Sequence, residues 1–336
     1  MTLEQIQSIV AAGAYPGGAQ PAEWLETHIS WVILTTEFAF KIKKPVVLGF
    51  LDFGTVAKRQ FFCQEELRLN RRLAPDLYLD VLPIGMKHGQ LAIGADIPDP
   101  LDYAVQMRRM DNRLQMDHLL AENRVGIPHL EQLADVLAAF HLQVRMTGPI
   151  VYHPGAHWAD FAELYRFGAD LEQHAGHAAR QTLQQWRRAL PDFLERHAPR
   201  LIERVRSGFW VDGHGDLHTR NIFLPGQTPV VFDCIEFDPH FRQNDILNEL
   251  AFLCMDLDVQ GRPDLAAAFL HAYGKHWNIF PKPEDRALFL FFKAYRANVR
   301  LKVALLELRQ HAPATVKNQA QRYWQCLERY VAELLA

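Results

Sequence analysis

The segment from Val211 to Asp233 constrains the fold of this chain most, because it sets a dense polar cluster directly before two short apolar runs. The segment reads VDGHGDLHTRNIFLPGQTPVVFD, and the runs at 222–224 and 230–232 flank PGQTP, a composition typical of a turn. We therefore predict a β-hairpin here. Since a hairpin brings its two ends together, Asn221 just before it and Asp233 just after it are expected to be neighbours.

An amide oxygen beside a carboxylate offers the hard oxygen ligands that Mg²⁺ binds, so Asn221 and Asp233 are candidate metal ligands. Asp216 lies five positions before Asn221, on the loop that leads into the hairpin. A carboxylate there can accept a proton from a substrate hydroxyl while the metal holds phosphates. An alternative is a metal hydrolase built on His214, Asp216 and His218, which would require further ligands elsewhere in the chain.

The first third of the chain is predicted to be β-rich. An apolar β-branched run and an alternating run indicate a hairpin that ends near Pro45 and Gly49. A segment with helical spacing follows, with Thr55 as its N-cap and Pro75 as its stop. The predicted strands are 30–35, 38–46, 77–86, 89–94 and 102–110.

After Met110 the apolar spacing becomes helical, apart from the motif region. The longest helical segment is expected to break near Gly168, Gly176 and Pro191. A β-rich first part followed by a helical second part predicts two lobes with a cleft between them. The predicted helices are Met116–Asn123, Pro128–Met146, Trp158–Arg206 and Gln243–Leu335.

Composition argues against several classes of protein. The 336 residues are 49% hydrophobic and 22% charged, which is ordinary for a globular chain. With 36 basic and 39 acidic residues the formal net charge is -3, so a dedicated nucleic-acid binder is not expected. The cysteines form no CxxC pair, no apolar run approaches the ~20 residues that span a bilayer, and the N-terminus lacks a basic signal-peptide region. We expect a cytoplasmic protein without a membrane partner.

The motif region resembles a known catalytic loop. HGDLHTRN is similar to the kinase loop H-R-D-L-x-x-x-N, in the variant H-G-D-x-x-x-x-N of aminoglycoside phosphotransferases and choline-kinase-like enzymes. The stretch FDCIEFDPHFRQNDILNELAFL resembles the segment that comes after that loop in the same superfamily. The resemblance covers about Trp31 to Leu257 and implies an α+β, bilobal protein-kinase-like fold. Its implied parts are a small β-rich N-lobe at 1–106, a hinge at 107–112 and a larger helical C-lobe at 113–336.

The resemblance also implies a role for each motif residue. Gly215 replaces the arginine through which protein kinases read activation-loop phosphorylation, which suggests a constitutively active small-molecule kinase. His218 is expected to be a neutral loop histidine near phosphate. Glu236 and Asp238 either support the site, contact the acceptor or have structural roles in the loop. The implied roles are Asp216 as catalytic base or hydroxyl-orienting group, Asn221 and Asp233 as magnesium ligands, His214 as a structural loop histidine, and Asp245 as the helix aspartate that hydrogen-bonds the loop backbone.

The first part of the chain carries the remaining kinase features by resemblance. AFK resembles the A-I-K of V-A-I-K, which selects Lys41 over Lys43 and Lys44 as the lysine for the α- and β-phosphates. EELRLNRRL resembles the start of the kinase helix, and its register favours Glu66 over Glu65 as the partner of that lysine. YAVQMRRM resembles the strand that enters the hinge. Backbone groups of Met107, Arg109 and Met110 would then bind adenine.

One departure concerns the nucleotide clamp, because no G-x-G-x-x-G precedes the lysine and the phosphate-binding loop has no assignment. ATP is expected, with GTP as an alternative. FKIKKPVVLGFLDF together with QEELRLNRRLAP resembles a bacterial group of phosphotransferase-like proteins whose members often carry a fused C-terminal P-loop kinase. This chain has no G-x-x-x-x-G-K-[ST], so a stand-alone version is expected.

These features support two functions of different classes. The first is a magnesium- and ATP-dependent phosphotransferase for a hydroxyl of a small acceptor that is aminoglycoside-like, an amino alcohol or sugar-like. The alternative is a pseudokinase-like regulator that binds nucleotide without turnover, which the absent glycine-rich loop motivates. The acceptor and the oligomeric state stay open, because fold-level analogy names neither.

Overall fold

The computed structural model describes residues 1–18, 22–49, 51–147, 153, 155–226, 228–309 and 313–336. The predicted turn PGQTP includes Gln227, which lies outside these ranges. The chain divides into two compact units. Unit 1 comprises Met1–His118, Asn221–Gly226 and Val230–Arg242, and unit 2 comprises Leu119–Arg220, Gln227–Pro229 and Gln243–Ala336. The lobe and hinge boundaries at 106 and 112 stay predictions.

Unit 1 contains an antiparallel six-stranded sheet in the order β1-β2-β3-β8-β6-β7. The predicted hairpin at 30–46 is present as β2 and β3, with Val32 opposite Lys41. A separate two-stranded ladder pairs β4 with β5. The strands are β1 (Glu23–Glu26), β2 (Ser30–Leu34), β3 (Phe38–Lys43), β4 (Val47–Leu48), β5 (Leu51–Asp52), β6 (Tyr78–Lys87), β7 (Gln90–Ile93) and β8 (Asp102–Arg108).

Two helices of unit 1, α1 (Leu3–Ala12) and α2 (Val56–Asn70), contribute to different apolar clusters. Ile6 of α1 clusters with Phe40 and Ile42 of β3. Cys63 and Leu67 of α2 cluster instead with Ala39, the neighbour of Phe40 on the same strand. Because successive side chains of a strand point to opposite faces, the face of β3 that carries Ala39 also carries Lys41 and Lys43. The pleat therefore turns both lysines toward α2.

The predicted hairpin after the motif is also in unit 1. Its strands are β10 (Ile222–Phe223) and β11 (Val230–Val231), in a register that pairs Ile222 with Val231. A 3₁₀ helix (Thr219–Asn221) precedes the hairpin, and a short helix α8 (Pro239–Arg242) comes after it. The structure thus gives Asn221 and Asp233 the two ends that the sequence predicted.

Unit 2 is helical around one short ladder, in which β9 (Trp210–Asp212) pairs with β12 (Gln243–Asp245). Helix α9 (Ile246–Val259) is buried from Ile246 to Leu257 and forms the centre of this unit. The other helices are α3 (Met116–Ala121, which begins in unit 1), α4 (Ile127–Gln143), α5 (Gly155–Ala162), α6 (Gly168–Ala175), α7 (His177–Arg206), α10 (Pro263–Gly274), α11 (Glu284–Arg309) and α12 (Ala314–Leu335), with 3₁₀ turns at Asn112–Leu114 and Glu163–Phe167.

Two local predictions in the helical region were wrong. Helix α7 does not break at Pro191, which lies inside it, whereas breaks do fall at Gly168 and Gly176. Buried Leu190 and Phe193 flank that proline, so packing offsets the ~3 kcal/mol that an internal proline costs a helix. The second error is at Gln243, which begins β12 and not a helix, because pairing with β9 recruits it. No helix among the described residues is long and apolar enough to span a membrane.

Candidate active site

A lysine held between two carboxylates lies within unit 1. Lys41 Nζ on β3 lies 2.8 Å from Glu66 Oε1 on α2 and 2.6 Å from Asp233 Oδ1 after the hairpin. The Glu66 side chain is fully buried, whereas 15% of the Lys41 side chain and 42% of the Asp233 side chain are exposed. Solvent therefore reaches the end of this chain of charges that carries Asp233.

A second lysine shares Glu66. Lys43 Nζ lies 2.6 Å from Glu66 Oε2, also bonds Glu236, and is 1% exposed. Both lysines that face α2 therefore contact the glutamate, but of the two only Lys41 contacts Asp233 among the described residues. Glu65 instead pairs with Arg68 on the exposed side of the helix. The pairing of Lys41 with Glu66 expected from the sequence is present, and the buried pair of Lys43 with Glu236 is an addition to it.

The charges of Lys41 and Glu66 hold one another ionised. Burial alone would raise the pKa of Glu66, but Lys41 and Lys43 outweigh it and lower that pKa to about 2. Burial would lower the pKa of Lys41, and Asp233 and Glu66 more than offset it, so that the pKa is raised. Glu236 differs, because burial raises its pKa beyond what Lys43 restores. The cluster thus contains two lysines and three carboxyl groups, those of Glu66, Asp233 and Glu236.

The backbone after the hairpin is anchored so that Asp233 faces this cluster. Phe232 N donates to Asn221 O at 3.0 Å, which closes the hairpin ends. Asp233 N donates to the Tyr78 hydroxyl at 3.1 Å, and Cys234 N donates to a side-chain oxygen of α2. Asp233 has φ 64, a left-handed conformation that costs a non-glycine residue about 1–3 kcal/mol.

A hard divalent cation fits this donor set. Asn221 offers an amide oxygen at one end of the hairpin, and its side chain is largely buried. Asp233 offers a carboxylate that is almost half exposed and bonds Lys41 through Oδ1. Amide and carboxylate oxygens with water in the remaining positions are the ligands that Mg²⁺ prefers.

The catalytic-loop motif lies in unit 2, and Glu249 of α9 holds its backbone. Glu249 accepts hydrogen bonds from His214 N at 2.5 Å and Gly215 N at 3.0 Å. Asp216 N donates to His214 Nδ1 at 3.3 Å, so this histidine ring takes part in the loop structure. Gly215 has φ 83, a conformation that favours glycine and accounts for the glycine of HGD. Asp256 fixes the far end of the loop by accepting from Thr219.

The loop contact expected of Asp245 is made by Glu249 instead, which corrects the sequence-based assignment. Asp245 caps α9 by accepting from Leu247 N at 2.8 Å and binds Arg204 through two hydrogen bonds of 2.7 and 2.9 Å. Glu249 lies one helical turn further along, where its carboxylate meets the two loop N–H groups. Burial would raise the pKa of Glu249, but His141 and His214 outweigh it and lower that pKa to about 2.

Asp216 presents a carboxylate that stays ionised. About a third of its side chain is exposed (34%), and Oδ2 lies 3.2 Å from His218 Nε2. Burial of the carboxyl raises its pKa, but the neighbouring His218 and Arg300 outweigh it and hold the pKa well below the usual range. A carboxylate of such low basicity is better suited to orient a hydroxyl than to remove its proton in advance.

The three predicted adenine-binding positions lie at and after the end of β8. Met107 pairs with Ala39 and Tyr78 in the sheet. The N–H of Arg109 donates to Glu37 O at 2.7 Å, so this donor is already engaged. Met110 packs against the apolar cluster of α2. Adenine binding at these residues stays a prediction.

The β-rich unit with its lysine–glutamate pair and the helical unit with its HGD loop define a protein-kinase-like fold of the small-molecule phosphotransferase class. A family model described as APH, the phosphotransferase enzyme family, matches residues 92–289. This chain belongs to that family.

Among curated proteins, uncharacterised proteins of Mycobacterium tuberculosis and Mycobacterium bovis are 32% identical over 292 residues, 86% of this chain. The match covers 55% of each relative, so the chain spans about half the length of the curated relatives it matches.

Solved structures show the same fold at low sequence identity. A choline/ethanolamine kinase family protein from Mesorhizobium loti is 14% identical, with a TM-score of 0.51 and coverage of 99% of both chains. An aminoglycoside 2'-phosphotransferase solved with GDP is 14% identical, with a TM-score of 0.54 and coverage of 99% of this chain and 98% of that one. A spectinomycin phosphotransferase solved with ADP and spectinomycin is 12% identical, with a TM-score of 0.51 and coverage of 94% and 93%.

Proposed function

We propose that this chain transfers the γ-phosphoryl group of ATP to a hydroxyl of a small molecule, with Mg²⁺ as cofactor. The observation that carries the proposal is the position of Lys41, which is bound at once to buried Glu66 and to the exposed carboxylate of Asp233. A cation fixed by a glutamate beside a metal-competent carboxylate suits a nucleotide phosphate chain. Membership of a phosphotransferase family supports the same reaction class.

On the nucleotide side, Lys41 binds the α- and β-phosphates, and Asn221 and Asp233 hold the metal. When bound, Mg²⁺ would neutralise charge on the phosphates. Because Glu66 keeps Lys41 ionised and oriented, the lysine needs no rearrangement of its partner helix to exchange Asp233 for a phosphate oxygen. We assign the adenine contacts to backbone groups of the hinge at 107–112, through Met107, Met110 and the carbonyl group of Arg109, whose N–H already donates to Glu37 O.

On the acceptor side, Asp216 orients the attacking hydroxyl. The acceptor oxygen bonds the γ-phosphorus, the bond from that phosphorus to the β,γ-bridging oxygen breaks, and ADP leaves. The hydroxyl proton passes to Asp216 as the new bond forms, and from there to solvent. The low pKa of Asp216 suits a reaction in which proton transfer is late, and catalysis then rests on alignment and on charge neutralisation.

The choice of purine nucleotide is part of the proposal. The related spectinomycin phosphotransferase was solved with ADP, and the related aminoglycoside phosphotransferase with GDP. ATP is our first choice, and GTP is the competing donor. Since the sequence has no glycine-rich loop before Lys41, the lysine and the metal carry more of the phosphate binding than in enzymes that have one.

The test separates binding from turnover. Thermal shifts with Mg-ATP and Mg-GTP report nucleotide binding, and ADP release with a library of small alcohols reports transfer. Asp216→Asn should keep Mg-ATP binding and lower transfer about 10²- to 10⁴-fold. Asp192→Asn, an exposed position on α7, is the matched control. Nucleotide binding without transfer to any acceptor would favour the regulator instead, and equal turnover in Asp216→Asn would refute the assigned role of Asp216.

A further inference from the structure

Helix α11 places a buried arginine against the catalytic-loop backbone. Arg296 Nη1 donates to Gly215 O at 3.1 Å, and its Nε donates to Asn248 Oδ1 at 2.8 Å. The residue is 6% exposed, its guanidinium lies over the Phe252 ring at 4.7 Å, and its Nη2 is buried without a hydrogen-bond partner. Among the described residues, no carboxylate forms an ion pair with Arg296.

A second arginine, Arg300, lies one helical turn later on the same face of α11. Its Nε donates to the Tyr323 hydroxyl at 3.3 Å, and its guanidinium lies over that ring at 5.7 Å. Arg300 is half-buried, and within the described ranges it forms no ion pair with a carboxylate. It is close enough to Asp216 for the two charges to interact.

Two other buried arginines, Arg204 and Arg200, have carboxylate partners. Arg204 forms two hydrogen bonds with Asp245, and Arg200 forms two with Asp285. Arg296 and Arg300 do not form such paired hydrogen bonds with a carboxylate among the described residues. Their position is costly, because an unpaired charge is buried and because like charges at i and i+4 repel one another. Arg300 interacts with the charge of Asp216 without forming an ion pair, and Arg296 has no carboxylate ion pair among the described residues. These two cations beside the loop of Asp216 could therefore accept an anionic group.

We propose that the acceptor is an anion, a small hydroxylated compound that carries a carboxylate or phosphate group. Arg300 hydrogen-bonds that oxyanion directly, and Arg296 attracts it electrostatically without direct contact. The hydroxyl of the acceptor then lies at Asp216. The inference rests on the proposed function, because it names the acceptor class of the same site. It excludes polycations of the kanamycin type as preferred acceptors, since two cations would repel them.

The first experiment measures acceptor binding without turnover. The chain is saturated with Mg-ADP, and calorimetry compares matched probes. These are glycerate and glycerol 3-phosphate against glycerol, gluconate and glucose 6-phosphate against glucose and glucosamine, and inorganic phosphate alone. Anionic members should bind about 10- to 100-fold more tightly than their neutral counterparts, as expected for hydrogen bonds to a charged group. The preference between carboxylates and phosphates identifies which oxyanion the site takes.

The second experiment assigns the preference to Arg300. Arg300→Gln should remove the advantage of the anionic probes and leave the neutral ones unchanged, while Arg300→Lys should retain part of it. Arg309→Gln on the same helix, whose arginine pairs with Asp170 at the surface, is the matched control and should change nothing. The melting temperature of each variant verifies that it is folded.

Three results would overturn the anionic acceptor. The first is that neutral or cationic probes bind as tightly as anions. The second is that no anion binding depends on Arg300. The third is that Arg300→Gln weakens the binding of Mg-ATP and leaves the binding of the acceptor unchanged. Failure of the proposed function looks different: anions bind through Arg300, yet none is phosphorylated when ATP replaces ADP. Transfer to neutral or cationic acceptors alone would instead preserve the proposed function and refute this inference.

Discussion

Lys41 and Asp233 are 192 positions apart in the sequence, yet Lys41 Nζ lies 2.6 Å from Asp233 Oδ1. The cation assigned to the phosphates is therefore bound by the carboxylate assigned to the metal. In the proposed reaction this bond would be exchanged for two others, because Lys41 would bind phosphate oxygens and Asp233 would bind the metal ion. Neither charge would then be left without a partner.

Lys41→Ala should weaken Mg-ATP binding and transfer with little effect on stability. The lost hydrogen bonds to charged phosphate oxygens correspond to about 10- to 100-fold in affinity. Stability is retained because Lys43 still pairs with Glu66. Calorimetric titration of Mg-ATP measures the first effect, and urea unfolding measures the second. Lys44→Ala is the control, because Lys44 pairs with Glu26 away from this cluster; nucleotide affinity equal to wild type in Lys41→Ala would remove the lysine from the site.

In contrast to Lys41→Ala, which should mainly weaken nucleotide binding, Lys43→Met should lower the free energy of unfolding. It removes one lysine from buried Glu66 and leaves Glu236 without its cation, a change of about 3–5 kcal/mol in the free energy of unfolding. Urea unfolding provides the measurement. Adding Glu236→Gln to this variant should restore part of the loss, because it removes the stranded charge. Lys58→Met, at an exposed pair with Asp52, should cost less than about 1 kcal/mol.

Glu249→Gln should lower kcat for transfer more than it weakens nucleotide binding. The carboxylate accepts both loop N–H groups of His214 and Gly215, and an amide offers only one oxygen to them. The position of Asp216 then becomes less well defined. Steady-state kinetics measures the change in kcat. As controls, Asp245→Asn should mainly lower stability, because it weakens the pair with Arg204. Glu195→Gln on the surface of α7 should change neither kcat nor stability. Equal kinetics for the Glu249 and Glu195 variants would contradict the assignment.

The pH dependence of stability should reveal the same glutamate. Its folded-state pKa is about 2, below the ordinary value of 4.5, so its stabilisation is fully present above pH 4.5 and is lost as the pH falls toward 2. Over that interval the free energy of unfolding should fall by up to about 1.4 kcal/mol per pH unit for this group. Urea titrations at several pH values measure the slope, and Glu249→Gln should reduce it. An identical slope in that variant would show that the group is not perturbed.

Local signals in the sequence predicted a large part of the structure. Thr55 caps α2 as its position predicts, accepting from Lys58 N, and the turn composition placed Asn221 and Asp233 at the hairpin ends. Both predictions depend on neighbours within one element or on a strong turn. The preference for Glu66 over Glu65 comes instead from the resemblance of EELRLNRRL to a kinase helix, and the ion pair with Lys41 agrees with it.

Long-range pairing accounts for the features that the sequence did not predict. Asp245 and Glu249 are one turn apart on α9, and helical spacing alone does not decide which of them meets the loop. Lys43 and Glu236 are 193 positions apart, so no periodicity connects them. The local pattern predicts a helix at Gln243, whereas the structure has a strand. The strand forms because Gln243 pairs with β9, which lies 31 positions earlier and is invisible to local spacing.

The shared carboxylate of Glu66 has a consequence for the energetics of ligand binding. Lys43 pairs with Glu66 independently of Lys41, so β3 and α2 would stay joined if Lys41 bound a phosphate as proposed. The proposed phosphate site would then be preorganised, and nucleotide affinity would not be reduced by the cost of assembling these two elements.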